Sequence, residues 1–360
     1  MKIAYLALAF SIHTVRWVNE MTKRGYEVHL ITMHPPRTEN PIDNNVSIYI
    51  LPFSPPAGYF LNKWHLKKLL SRISPSLLHT HYASGYGTLS RLSGFHPTLL
   101  SVWGSDVFDF PYQAKWKEKI LRKNLVAPDY ITCTSHIMKI QTKKFVNLKY
   151  PISVVPFGVD CQKFKPLEGI RNDDEFVVGT VKTLEEKYGV KYLIEAFAMV
   201  RKNYIGSKRL RLLIVGEGAL KNQLKSLAKE LEVENETDFL GYVPHSDVSR
   251  ILNRFSISVS ISDSESFGVA VIEASACGIP VIASDAGGLP EVVKHGETGF
   301  IVPRRNPQRT AEGIMKLIES PKLRDEMGRA GRNFVLQNYE WNENASRMEE
   351  LYEKIIKEWS

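Results

Sequence analysis

Cysteine is nearly missing from this 360-residue chain. There are three, Cys133, Cys161 and Cys277, scattered and odd in number. That excludes a disulfide framework, and without metal-ligand spacing it excludes a thiolate metal site; they read as reduced thiols of a cytoplasmic protein. Long apolar runs are missing too: no stretch approaches the ~20 residues that cross a bilayer, so no membrane-spanning helix is expected. The apolar opening Met1–Phe10 has no small-residue cleavage pattern and runs straight into His13 and Arg16. It reads as a buried first strand, not a secretion signal. No low-complexity tract or 20–50-residue repeat is visible, which argues against solenoids and linker-like chains. No Asp-x-Asp run follows a strand, and Asp173-Asp174 reads as solvated linker, so no metal clamp is expected.

What the chain does have is ordinary globular composition, 43% hydrophobic and 24% charged, at a length that suggests two domains, each with its own core. Short apolar runs alternate with amphipathic helical patterns throughout, the pattern of parallel α/β sheets. Strands are expected at 2–9, 27–32, 47–50, 77–79, 98–102, 130–133 and 153–155, and again at 176–180, 211–215, 238–240, 257–261, 280–283 and 300–302. Each set suffices for one doubly wound sheet. The boundary is expected within Cys161–Asp174, giving domains at 1–165 and 166–340. A last helix follows over 341–360, with Asn342 as a capping-type residue and apolar positions Ala345, Met348, Leu351, Tyr352 and Ile355.

Charge is uneven. Residues 1–165 hold 21 Lys+Arg against 9 Asp+Glu, a net of +12, whereas the remainder carries −4 within a total of +8. The excess lies in two amphipathic stretches, Tyr59–Arg72 and Ala114–Lys123, where lysines interleave with Trp64, Trp116, Phe60 and Leu61. Such helices suit the headgroup layer of an anionic membrane. They suit equally a helix that buries its apolar stripe and solvates its lysines. No nucleic-acid module accompanies the charge, so nucleic acid is not an expected partner.

The densest run is Ser262-Asp263-Ser264-Glu265-Ser266-Phe267-Gly268, followed by Val269–Ala274 with Glu273, then Gly278-Ile279-Pro280-Val281-Ile282 and Gly287-Gly288-Leu289-Pro290-Glu291. Glu265 and Glu273 are eight residues apart, a rise of about 12 Å if helical. That is roughly the reach of an extended sugar-diphosphate-nucleoside. Gly287-Gly288 would let backbone N–H groups approach a phosphate at a helix start. A buried acid that caps its own helix beside an ordinary loop glycine pair is the alternative for each piece taken alone.

On these residues the chain resembles the retaining glycosyltransferases of the GT-B fold, in particular glycosyltransferase family 4. Supporting segments are Val155–Asp160, Leu213–Gly218 and Gly299–Val302. The resemblance implies two Rossmann-like parallel-sheet domains facing across a cleft, with a C-terminal helix returning to the first. It implies a nucleotide sugar bound by the second domain, with Glu273 on the ribose hydroxyls. Glu265 and the Ser266-Phe267-Gly268 backbone would face the donor sugar, and Glu217, Tyr242 and Val243 would line the nucleoside pocket. Lys187 matches the family's diphosphate lysine. Lys182 stands where the family has arginine, so a point charge replaces a bidentate fork. With cations on the leaving diphosphate, no metal or other cofactor is expected.

The first domain departs further. The family's Gly-Gly loop after the first strand is replaced by Ser11–Trp17, where His13 or Arg16 would supply a polar contact. In Trp103-Gly104-Ser105-Asp106, Trp103 stands in place of a histidine near the transferred sugar. His79 and His81 match a common family feature and read equally as structural hydrogen-bonders. The resemblance implies transfer of a sugar to an acceptor hydroxyl; the basic first domain fits a glycan or lipid-linked acceptor, in cell-surface polysaccharide or glycolipid synthesis, and a cytoplasmic enzyme peripheral to the inner face of the cytoplasmic membrane. A nucleotide-sugar epimerase on the same fold, or a non-catalytic nucleotide- or glycan-binding module, are the rival readings.

Overall fold

The computed structural model describes residues 1–148 and 150–359. The chain divides into two compact units, Met1–Phe157 with Glu343–Ser360, and Gly158–Asn342. In the first, β1 (Lys2–Leu6), β2 (Glu27–Thr32), β3 (Ser47–Ile50), β4 (Leu77–His81), β5 (Thr98–Val102), β6 (Tyr130–Cys133) and β7 (Ser153–Val154) form one parallel sheet in the order β3-β2-β1-β4-β5-β6-β7. In the second, β8 (Glu175–Val181), β9 (Arg209–Val215), β10 (Thr237–Gly241), β11 (Ile257–Ser260), β12 (Val281–Ser284) and β13 (Gly299–Val302) run β10-β9-β8-β11-β12-β13, also parallel.

Helices cover both faces of such sheets, so the central strands are apolar on both sides instead of alternating. β4, β5, β6 and β12 are buried at every position. The helices contribute one stripe each. Lys63–Ile73 buries Leu66, Leu69, Leu70 and Ile73, at helical spacing, against Ala4, Leu6, Ile31 and Leu78. It stops where Ser74 turns left-handed at φ 51°. Truncating a core side chain such as Leu70 to alanine costs about 2–5 kcal/mol.

Three sequence expectations change. The stretch 158–165 is no linker: Val159 pairs with Glu340, Ser249 Oγ donates to the Lys163 carbonyl, and Asn253 Nδ2 donates to the Lys165 carbonyl. The second unit therefore begins at Gly158, ahead of the expected boundary. The last helix is Trp341–Trp359, which makes Asn342 an internal residue; its N–H donates to the Glu340 carboxylate at 2.6 Å. That helix also returns acid to the basic unit. Counted by unit, the first carries +9 and the second −1, a weaker polarity than the split at residue 165 suggested.

The last helix completes the first unit's interior. Tyr352 Oη lies 2.7 Å from Tyr5 Oη and 2.6 Å from His79 Nδ1, and His79 Nε2 lies 2.7 Å from Ser101 Oγ. Burial pushes the His79 imidazole down to about 3, so it is neutral at physiological pH with both nitrogens engaged. His79 is a structural hydrogen-bonder.

In each sheet the strand order reverses once, between β1 and β4 and between β8 and β11. Loops leaving the carboxyl ends of the strands diverge there, which is where open α/β sheets hold ligands.

Candidate active site

At the reversal in the second sheet, Lys182 follows β8 directly and Glu265 lies five residues beyond β11. Lys182 Nζ and Glu265 Oε2 are 2.5 Å apart, with side chains only 9% and 14% exposed. A lysine and a carboxylate drawn from water need each other: neither charge is tolerable there alone. Tyr188 packs beside both candidate diphosphate lysines, its ring centroid 5.1 Å from Lys182 Nζ and 5.2 Å from Lys187 Nζ. Lys187 is the more exposed of the two and reaches Glu185 at 3.7 Å. Its carbonyl accepts from the Asp263 and Ser264 amides, tying the loop after β8 to the loop after β11.

Glycines let these loops close on one another. Gly287 has φ +50°, and a Cβ there would sit 1.8 Å from the Glu265 carbonyl oxygen; at Gly216, φ +136°, it would sit 1.9 Å from the Lys182 carbonyl. Any side chain at either position would push apart the backbone that carries the ion pair. The Gly288 N–H donates to the Glu265 carbonyl at 2.9 Å. The glycine pair thus braces Glu265, and that amide is not available to a phosphate. Arg305 Nε on Asp263 (2.8 Å) and Arg304 Nε on Asp285 (3.0 Å) hold the same loops from the β13 side.

The helix after this loop spans only Val269–Ala276, preceded by Gly268 at φ +107°. Glu265 is therefore in the loop and Glu273 in mid-helix, and the 12 Å helical rise does not apply. Phe267 is buried, its ring edge-on to Tyr339 at 5.6 Å, so its side chain serves the unit's interior and only its backbone can face a ligand. Glu273, 5% exposed in a helix of Val, Ile and Ala, meets His245: Oε1 and Nε2 are 2.8 Å apart. Glu217 follows β9 and pairs with Lys221 at 2.6 Å, while Tyr242, 62% exposed, and the half-buried Val243 follow β10. These three lie on adjacent loops, joined where the Gly216 amide donates to the Gly241 carbonyl.

His13 and Arg16 belong to the other unit, within the first five residues of the helix Ile12–Lys23. His13 stacks on Phe157, centroids 3.8 Å apart, and meets Trp103 edge-on at 5.9 Å. Trp103 also packs on His81 at 4.1 Å. An aromatic cluster therefore occupies the carboxyl end of β1, β4 and β5. Asp106 is not a ligand-facing acid: it is buried and accepts the Ala83 and Gly104 amides, each at 2.8 Å. Among the described residues no cluster of three or more His, Cys, Asp or Glu is placed to hold a metal ion, and no helix is long and apolar enough to cross a membrane.

Sequence reasoning missed His245, Lys163 and Tyr188. Tyr188 directly follows Lys187 in the chain; the other two had no local signal.

Comparison with known proteins bears on the family and the fold. Residues 163–334 match the family model for glycosyl transferases group 1, and residues 2–135 match that for glycosyl transferase 4-like proteins. The chain is similar to N-acetyl-α-D-glucosaminyl L-malate synthase of Bacillus anthracis, 24% identical over 366 residues, covering 94% of this chain and 92% of that one. Its fold is similar to sucrose-phosphate synthase of Thermosynechococcus elongatus, with a TM-score of 0.86, 20% identity and 99% of each chain covered. It is similar also to Anabaena HepE, solved in complex with UDP, with a TM-score of 0.84, 17% identity, and 98% of this chain and 100% of that one covered.

Proposed function

This chain belongs to the group 1 glycosyltransferases, and from that premise we propose that it moves a sugar from a nucleotide diphosphate to an acceptor hydroxyl with retention of anomeric configuration. The observation that carries the reading is the Lys182–Glu265 pair at the reversal point of the second sheet. Without donor, the two charges neutralise each other. A diphosphate offers Lys182 a doubly charged partner, and Glu265, released, turns to the hydroxyls of the sugar. Phosphate binding and sugar recognition are coupled through one bond.

In the reaction, the acceptor oxygen forms its bond to the anomeric carbon on the face from which the phosphate leaves. The bond from that carbon to the phosphate oxygen breaks, and the acceptor proton passes to the departing phosphate. Lys182 and Lys187 stabilise the charge that grows on the leaving group, without a metal ion. Glu273 takes the ribose hydroxyls, and the Glu217, Tyr242 and Val243 loops flank the base. The UDP complex of HepE supports a nucleotide-linked donor.

The acceptor we propose is a glycan or a lipid-linked sugar, reached by docking on an anionic membrane from the cytoplasmic side. The helix Lys63–Ile73 spends its leucines on the core and leaves Trp64 67% exposed, with Lys63 and Lys67 ammonium groups 4.7 and 5.4 Å from its ring. Phe60 and Leu61 beside it are half exposed, and Trp116 repeats the motif with Lys117. Burial of an apolar stripe explains the leucines but not these aromatics.

A panel of nucleotide sugars assayed for hydrolysis without acceptor identifies the donor. With that donor, Lys187→Ala and Glu273→Ala should each lower turnover at least ~100-fold, and excess chelator should leave wild-type activity intact. Near-normal transfer by either variant, or loss in chelator restored by magnesium or manganese, refutes the assignment.

A further inference from the structure

Glu273 is held by a relay that no sequence motif announced. Its Oε1 lies 2.8 Å from His245 Nε2, and the other ring nitrogen, Nδ1, lies 3.3 Å from Lys163 Nζ. An ammonium only donates, so Nδ1 accepts; Nε2 therefore carries the proton and donates to the carboxylate. The two neighbours together fix one tautomer of a neutral imidazole.

The scaffold around the relay is stiff. His245 opens the helix His245–Leu252 directly after Pro244, and its ring tilts against the buried Phe164 at 5.4 Å. Ser249, one turn along that helix, binds the Lys163 carbonyl at 2.7 Å, and the Lys163 amide donates to Asp160 Oδ1 at 3.0 Å. Lys163 and His245 are thus set by the same helix. Among Val271, Ile272 and Ala274 no other side chain would fix the rotation of this carboxylate.

We infer that His245 is a positioning residue for nucleotide recognition: it ties one oxygen of Glu273 so that the carboxylate presents its other oxygen to a ribose diol, with Lys163 holding the imidazole in the donating tautomer. The chemical class selected is a ribonucleoside diphosphate over its 2′-deoxy counterpart. This inference rests on the assignment of Glu273 to the ribose.

The test compares binding of UDP, GDP and ADP with their 2′-deoxy forms by calorimetry, using whichever base binds most tightly. Wild type should prefer the ribo form by about 10-fold, the scale of one charge-assisted hydrogen bond. His245→Ala should bring that preference to within about twofold, and Lys163→Met should reduce it part of the way. His245→Gln, whose amide N–H can replace Nε2–H, should restore it. Affinity for the 2′-deoxy form should stay within about twofold in all three, whereas a merely structural role would weaken both forms together. Full preference in His245→Ala with loss in Glu273→Gln overturns the relay and leaves the ribose assignment standing. Full preference in Glu273→Gln, or none in wild type, overturns the ribose assignment and the relay with it.

Discussion

Replacing Lys182 with methionine keeps most of the side-chain volume and removes the charge, leaving the Glu265 carboxylate 14% exposed beside an apolar neighbour. Breaking a buried pair from one side costs about 3–5 kcal/mol; the residual exposure of both partners places this case near 3 kcal/mol. For a unit the size of Gly158–Asn342, each kcal/mol moves the midpoint by roughly 2–4 °C, so Lys182→Met should lower it by about 6–12 °C. Glu265→Gln should do the same for the mirrored reason. The double variant buries no unpaired charge and should recover much of the loss, giving a coupling energy of about 2 kcal/mol or more by calorimetry. Lys182→Arg, which installs a guanidinium fork in place of the point charge, should keep both stability and turnover. If the single variants melt within ~1 °C of wild type and the coupling falls below ~0.5 kcal/mol, on the scale of an exposed pair, the bond is not formed in solution. The proposed hand-over from carboxylate to diphosphate would then fail.

Two further outcomes are expected. In vesicle co-sedimentation the protein should pellet with anionic and not neutral lipid and be released by salt; reversing Lys67, Lys68, Lys115 and Lys119 to Glu should abolish binding but spare donor hydrolysis, whereas equal pelleting on both lipids would remove the membrane argument. Acid should destabilise the first unit through His79: pushed down to about 3 by burial, it refuses the proton that the unfolded chain takes up near 6.5, so stability present above pH 6.5 is lost as pH falls from there towards 3. At pH 5 the loss is about 2 kcal/mol, and His79→Gln should flatten that part of the profile; an unchanged profile would show that this imidazole is not buried.

The strands were readable because parallel strands covered on both faces must be continuously apolar. Thr98–Val102 and Tyr130–Cys133, buried throughout, fall where the pattern placed them, as does Glu27–Thr32; Ser47–Ile50 also falls in place, but as a largely exposed edge strand to which that reason does not extend. β8 and β9 run further than expected, since their added ends carry Glu175 and Arg209, charged residues that pair with each other at 2.6 Å across the ladder. Within the site, the Lys182, Lys187, Glu265 and Glu273 positions were legible as a spacing. What Glu265 touches was not, because a partner 83 residues away is a property of the sheet order. Lys163 was hidden for the same reason: it lies within the expected boundary stretch, yet its ammonium reaches a histidine 82 residues on. Gly268 is the instructive failure: its positive φ ends the helix that the glutamate spacing suggested, and only the backbone reveals that.

The hydroxyls of Tyr5 and Tyr352 touch across 347 residues of chain. On a ribosome, the first unit's sheet is synthesised complete, yet its interior lacks Met348, Tyr352 and Ile355 until the whole second unit has emerged. At 5–20 residues per second that interval is about 10–40 s, during which His79 and Tyr5 have no phenol to bond and the apolar floor beneath the last helix lies open. The second unit, by contrast, can finish folding before the first. This enzyme is therefore assembled in the reverse of its reading order, and the segment most exposed to capture by a chaperone in that interval is its beginning.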